Sequence, residues 1–466
     1  MTELRARSAS LGYFLTCSIC LSILVPVLLW SGQVDFSSIS LVAVVAVSGA
    51  RFSWLAGLGE PRLMELSTWS FIYVFFGLAG LVQVQLGEWP ETAPTVFTDY
   101  LQPATLLIVV SVVAVVMGVA ASDLMPARPV SRSGDDPVSE RRRIPERTAV
   151  CVALIALALN GYYLLSIGLT APLGTRDDLR AAQLSAWEDE TLSIGIVGLC
   201  TMPLLVAFIA LVQINRQGRV ASKAPINFLA LLVFLATLYS VNPISSPRYY
   251  FGTVILSLAA ALGAYGTARR LRISSLVFLV ALVFLFPIAD IFRRATGEVL
   301  DVGFDPLRSL TSGDFDGLIQ TMNSIRYYEL AKPLLGEQAL AVLLFWIPRS
   351  YWPSKPDGTA IVVTEFAGYA HLNMSIPLWA EFFVNGGWVA SIVGMFVFGW
   401  ILRRFDNAIV SASQEGTPLS PFALILPFYL VILLRGSLLQ AMVYLAVFAV
   451  VSWVVRPREG TTPAPN

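Results

Sequence analysis

Ten residues in the last third of the chain, IPRSYWPSKP at 347–356, combine two fixed cations with aromatic rings. Arg349 and Lys355 stand six residues apart with no acid between them, and Tyr351 and Trp352 lie in the interval. Three prolines stiffen the stretch. Arginine offers a planar fork that matches phosphate oxygens, and lysine a compact point charge. Aromatic rings suit the headgroup level of a bilayer and stack on sugar faces. The combination fits a lipid-linked diphosphate at a membrane surface. An interfacial anchor, with its Trp and Lys side chains snorkelling, has the same composition.

A second polar set follows in EFAGYAHLNMSIPLWAEFFVNGGW, 365–388. It holds the single histidine, His371, together with Asn373, Ser375, Glu381 and Asn385. Glu381 sits between Trp379 and Phe382, and burial among rings would make its carboxylate a better proton acceptor. A glutamate paired with a nearby arginine is the plainer reading, as is a structural role for the lone histidine. More charges collect at the ends of apolar runs: Arg248, then Asp290, Arg293 and Arg294, then Arg435. Arg294 stands at the spacing that pairs it with Asp290 along a helix.

The elements that must position these residues are set by composition. Hydrophobic residues make up 56% of the 466 and charged residues 13%, with a mean hydropathy of +0.71. Soluble domains carry about 25% charged residues. A globule in water could not hide that much apolar surface, so lipid must serve as solvent. A cytosolic enzyme, a secreted protein and a nucleic-acid binder are excluded, and a net charge of zero gives no polyanion-binding signature. The cysteines, Cys17, Cys20, Cys151 and Cys200, all fall in apolar runs, with no disulfide framework or zinc spacing.

A spanning helix needs about 20 apolar residues. Twelve runs qualify as candidates: 11–31, 36–54, 66–86, 101–121, 148–168, 192–213, 225–241, 249–267, 275–292, 386–402, 420–434 and 437–455. With the N-terminus in the cytoplasm, 20 of the 31 basic residues fall inside, against 11 of the 31 acids. That asymmetry satisfies the positive-inside rule and returns the C-terminus to the cytoplasm. The run after MTELRARS is long and lacks a cleavage site, so it reads as a retained first span. Segment 122–147, rich in Pro, Ser, Arg and Asp, reads as a cytoplasmic linker. The span centres hold no Asp, Glu, Lys, Arg or His, which counts against an ion-coupled pump.

The fold expected is all-α: a polytopic integral membrane protein of about twelve transmembrane helices with one large helical extracytoplasmic loop. Residues 1–292 carry spans one to nine, 293–385 the outer loop, and 386–466 the last three spans and a cytoplasmic tail. Within the loop, 314–331 places Phe315, Leu318, Ile319, Met322, Ile325 and Leu330 at roughly helical spacing. Gly313 and Asp314 suit its start and Pro333 its stop. Residues 338–347, QALAVLLFWI, are apolar but too short to span, and suit a helix lying in the interface or re-entering it.

Three segments of this loop resemble a known family. GDFD at 313–316, GEQALAVLLFWIPRSYWPSKPDGT at 336–359 and GYAHLNMSIPLWAEFFVNGGW at 368–388 are similar to the Wzy-type oligosaccharide repeat-unit polymerases, also called O-antigen polymerases. The resemblance covers about 75 residues in order; elsewhere the chain agrees only in topology. It implies a fold like that of the C-type glycosyltransferases, in the bacterial cytoplasmic membrane with the active site outside. The implied reaction joins oligosaccharide units carried on undecaprenyl diphosphate into a surface polysaccharide, an O-antigen, capsule or exopolysaccharide. It implies no metal and no cofactor. As partners it implies the lipid-linked oligosaccharide, the bilayer, a chain-length regulator and a flippase.

By the same resemblance, Arg349 and Lys355 match the PRxxWPxKP turn, Arg248 the arginine that opens a mid-chain span, and Glu381 the AE position. Arg248, Arg349 and Lys355 would bind diphosphate, with Arg293 an addition. Tyr351, Trp352 and Asn373 would contact lipid or sugar. Glu381 would act as base or orient the acceptor, and His371 falls where the family pattern gives no firm histidine. Three alternatives stay open: an O-antigen-ligase-like transferase, a flippase for lipid-linked oligosaccharide, and a scaffold for synthesis partners.

Overall fold

In lipid, a run of apolar residues can satisfy its own backbone only by coiling into a helix or closing into a barrel. The computed structural model describes residues 2–125, 143–187, 190–217, 223–287, 305–331, 334–349, 351–372 and 374–458, and their regular elements are helices. In chain order they include α1 (Ala9–Leu29), α2 (Phe36–Leu58), α3 (Leu63–Leu86), α4 (Thr98–Leu124), α5 (Glu146–Ile167), α6 (Leu192–Arg216) and α7 (Lys223–Ser240). Then follow α8 (Arg248–Ala261), α9 (Ala268–Val280), α10 (Gly317–Leu330), α11 (Glu337–Leu343), α12 (Thr359–Phe366), α13 (Leu378–Gln414), α14 (Pro421–Arg435) and α15 (Leu438–Val454).

Eight of the described helices, α1 to α7 and α13, are long and apolar enough to cross a membrane. The chain is a polytopic, all-helical membrane protein. The other four expected spans overlap the shorter helices α8, α9, α14 and α15, of 14, 13, 15 and 17 residues, with 275–292 meeting α9 only over 275–280. Of the expected linker 122–147, residues 126–142 lie outside the described residues, as do Asp290, Arg293, Arg294, Pro333 and Asn373.

The chain divides into two compact units. The first comprises Met1–Met125, Tyr265–Asp406 and Leu430–Met442. Its centre is α3, of which 94% of the apolar window is buried, against 6% for α1. A helix that is apolar all round belongs in such a core. Rings on α3 anchor the segments that lead into α10 and α13: Phe75 lies 4.9 Å from Phe315, and Phe76 meets Trp379 edge-on at 4.2 Å. Gln83, one turn from the helix end, donates through Nε2 to the carbonyls of Leu310 and Phe315, both at 2.9 Å. Trp379 in turn donates to Thr321 Oγ1 at 3.2 Å.

Two glycine features shape this unit. A Cβ on Gly118 would stand 2.0 Å from the Phe396 carbonyl oxygen, and one on Gly399 would stand 2.3 Å from that of Val115. The close crossing of α4 and α13 therefore requires glycine at both positions. α13 breaks at Gly386–Gly387, where Gly387 adopts φ 62° and a Cβ would meet Tyr328 Oη at 2.9 Å. The break separates a short leading helix, which carries Glu381, from the long helix behind it.

At the other end of α3, about 27 Å from Gln83 at 1.5 Å per residue, charges are buried together. Glu65, fully buried, accepts from Arg51 Nη2 at 2.7 Å and from Arg403 Nη1 at 2.9 Å. Arg403 also grips Asp123 through two bonds, of 2.6 and 2.9 Å. Asp406 accepts the Met64 and Glu65 backbone N–H groups, both at 2.9 Å, and so caps the start of α3.

The second unit comprises Pro126–Ala264, Asn407–Tyr429 and Val443–Asn466. Within it Asn160 on α5 donates to Ser240 on α7 at 2.8 Å, and Tyr250 on α8 donates to Met202 Sδ on α6 at 2.7 Å. A surface helix, Arg176–Ala186, is closed by a capping box between Thr175 and Asp178.

Removing one member of a buried ionic network strands its partners. Glu65→Ala is expected to cost about 3 kcal/mol or more, whereas Glu60→Ala, at the more exposed Glu60–Arg62 pair, should cost under about 1 kcal/mol. Thermal unfolding of the two variants in the same detergent checks the contrast.

Candidate functional site

The expected loop helix forms as α10, preceded by a 3-10 turn at Gly313–Phe315. Phe315, Leu318, Ile319, Met322 and Ile325 are buried, while Leu330 is exposed. The apolar face of α10 packs on α4 and α12, and its start meets α3, where Phe75 faces Phe315 and Gly80 faces Leu318; this fixes the GDFD turn. Asp316, at its end, is 1% exposed. Its Oδ1 accepts from Ser375 Oγ at 2.5 Å and its Oδ2 from the Ser375 N–H at 3.2 Å. Arg435 Nη2 stands 3.5 Å from Oδ1 and also reaches the Asp314 carbonyl at 3.4 Å. A buried carboxylate needs such donors, because unpaired burial of charge is very costly. The Ile376 N–H donates to the Arg435 carbonyl at 2.8 Å, which closes the same junction.

Glu381 is 2% exposed and lies one turn into α13. Its Oε1 accepts from Thr359 Oγ1 at 3.1 Å, and its Oε2 from the Leu438 N–H at 2.9 Å. Leu438 opens α15, and the Ser437 carbonyl accepts that helix's first bond, so Ser437 is the capping residue. Yet the buried Ser437 hydroxyl has no partner among the described residues. Glu381 supplies the cap in its place, with its negative charge at a helix N-terminus. No cation pairs with Glu381 among the described residues; its donors are neutral.

The two expected cations are tied into their own turn. Arg349 Nη1 donates to the Lys355 carbonyl at 2.7 Å, and Nη2 to Asp357 Oδ1 at 2.5 Å. Half of the Arg349 side chain stays exposed. Lys355 Nζ donates to the Phe345 and Ile347 carbonyls at 2.7 and 2.9 Å. Burial, and then the Arg349 charge, push this ammonium below the usual lysine range. Tyr351 projects, 85% exposed, and Trp352 is half-buried with Nε1 on Ser354 Oγ at 3.2 Å. Asp357 and Thr359, two residues apart, hold Arg349 and Glu381 to one short stretch of chain.

His371 is exposed, and no described hydrogen bond or ion pair joins it to the others. Arg248 opens α8 in the second unit and is half-buried. Arg293 and Asn373 fall outside the described residues. Sequence reasoning named Ser375 without a partner and passed over Asp316 and Thr359, although all three stand in the quoted motifs. The available signal was their type: an acid in one turn and hydroxyls in the two that follow. Nearby, Asn323 Nδ2 donates to the buried Tyr369 Oη at 3.2 Å. The buried amides of Gln320, through Nε2, and Gln338, through both Nε2 and Oε1, keep unused hydrogen-bonding capacity among the described residues.

Compared with family models, curated proteins and solved structures, the chain matches none.

Lys355→Met removes both bonds to the Phe345 and Ile347 carbonyls, and the turn should open. Limited trypsin digestion of folded protein is expected to cut after Arg349 about 30-fold faster than in wild type, taking each of the two lost charge-assisted bonds at about 1 kcal/mol. Unchanged cutting would mean that the turn is held without Lys355.

Proposed function

We propose that this chain is a membrane glycosyltransferase of the Wzy type, joining oligosaccharide units carried on a polyprenyl diphosphate. The observation that carries the reading is how the three motif segments interlock. Ser375 of the third binds Asp316 of the first, and Glu381 of the third binds Thr359 of the second. Residues that resemble one family in sequence order thus form one connected cluster of buried polar contacts. In this reading the chain has twelve spans, its termini lie in the cytoplasm, and residues 293–385 form the large outer loop.

The chemistry uses each residue type. An acceptor hydroxyl oxygen attacks C1 of the donor sugar, and the C1–O bond to diphosphate breaks. The bonding pair leaves on the diphosphate, and the hydroxyl proton passes to Glu381. With neutral donors around it and no cation paired to it, the Glu381 carboxylate is available as base. The half-exposed Arg349 guanidinium, held by Asp357, faces the departing charge from a fixed position, and Lys355 adds to the positive field. Tyr351, Trp352 and the exposed Leu340, Leu343 and Trp346 suit the headgroup level, where a polyprenyl carrier enters. The open amides of Gln320 and Gln338 suit a hydroxyl-rich ligand.

Loss of the chain in its native host is expected to abolish long surface polysaccharide and leave single repeat units. Continued assembly of long polymer on its lipid carrier would instead indicate a ligase. Glu381→Gln keeps an oxygen for the Leu438 N–H but takes no proton, so polymer yield should fall by about 100-fold or more at unchanged protein level.

A further inference from the structure

One arginine of the first unit differs from those above. Arg326, on α10, makes no hydrogen bond or ion pair with any described residue. It is gathered against two rings: its Cζ lies 3.8 Å from the centroid of Phe97 and 4.9 Å from that of Phe366. Phe97 precedes α4 and Phe366 ends α12, so three distant segments build the arrangement. At 3.8 Å a guanidinium stacks on the ring, and its in-plane N–H donors point past the ring edge. The side chain is only partly buried, as are both rings, so those donors can be approached. Phe366 is itself fixed by the edge of Tyr327 at 5.3 Å.

A planar fork with its face covered selects an oxyanion that arrives in its plane. The surrounding charge selects further. Glu329 and Asp99, both exposed, act on the Tyr100 phenol together with Arg326. A single guanidinium matches the one charge and two oxygens of a carboxylate; the two acids repel any anion, and a dianionic phosphate or a diphosphate more than a carboxylate. The flanking phenyl rings suit the apolar face of a sugar. We propose that Arg326, with Phe97 and Phe366, forms a subsite for the carboxylate of an acidic sugar, so that the glycan handled by this protein contains a uronic acid or similar residue. The proposal rests on the glycan-transfer reading above for its biological meaning, but the subsite can be measured without any transfer reaction.

The test is equilibrium binding to purified full-length protein in zwitterionic nanodiscs, read by saturation-transfer NMR. The probes are methyl glucuronide, methyl glucoside and inorganic phosphate. Wild type is expected to favour the glucuronide over the glucoside at least tenfold and to bind phosphate more weakly than the glucuronide. Arg326→Gln should erase the preference while leaving the unfolding temperature near that of wild type. Arg326→Lys keeps the charge without the fork and should retain less than a third of the preference. Phe366→Leu, which leaves the arginine in place, should weaken glucuronide binding severalfold. Equal binding of glucuronide and glucoside to wild type, tighter binding of phosphate, or an undiminished preference in Arg326→Gln would overturn the proposal. If glucuronide binds as expected but polymer is unaffected by loss of the chain, the transfer reading fails and the subsite stands.

Discussion

A carboxylate withdrawn from water must be met by donors that stay in place, and the first unit is organised around two such groups. Asp316 draws its donors from Ser375 and Arg435, and Glu381 from Thr359 and the first turn of α15. None of these partners is local. Each acid therefore fixes the position of segments that are far apart in the chain, and both reach the break between α14 and α15. Changing either acid would disturb the meeting of all three motif segments, beyond any part it takes in chemistry.

The cations obey the opposite logic. Arg349 and Lys355 are satisfied mainly by carbonyl oxygens of their own turn. Fixing a charge in this way costs some of its donors but removes the side-chain freedom that an exposed arginine would have to give up on binding. Arg326 keeps its donors and gains its rigidity from rings. The first unit thus contains two solutions to holding a cation ready, one by hydrogen bonds and one by stacking. The polar network at the other end of α3, around Glu65, is closed on itself, and its arginines meet carboxylates of comparable number.

The membrane character of the chain was legible from composition alone, and α10 from the spacing of its apolar residues, because burial follows period. Leu330 was placed on that face by spacing yet is exposed, because the helix ends there. The buried acids Glu65 and Asp406 were less legible, because a residue at the margin of an apolar run gives no sign of whether it turns inward. Glu381 stood out through its aromatic neighbours, but its actual partners did not, since a backbone N–H 57 residues away leaves no trace in residue types. Arg326 escaped notice for the same reason: Phe97 and Phe366 lie 229 and 40 residues from it in sequence.

The central claim is that the interlocked segments transfer glycan between lipid carriers. The measurement that bears on it most directly is product length after purified protein in liposomes receives polyprenyl-diphosphate-linked repeat units, isolated from cells lacking the chain, and no other protein. The account predicts a lipid-linked ladder that grows one repeat unit at a time and disappears when Glu381 is replaced by Gln. Repeat units that remain single in the presence of folded wild-type protein would contradict it.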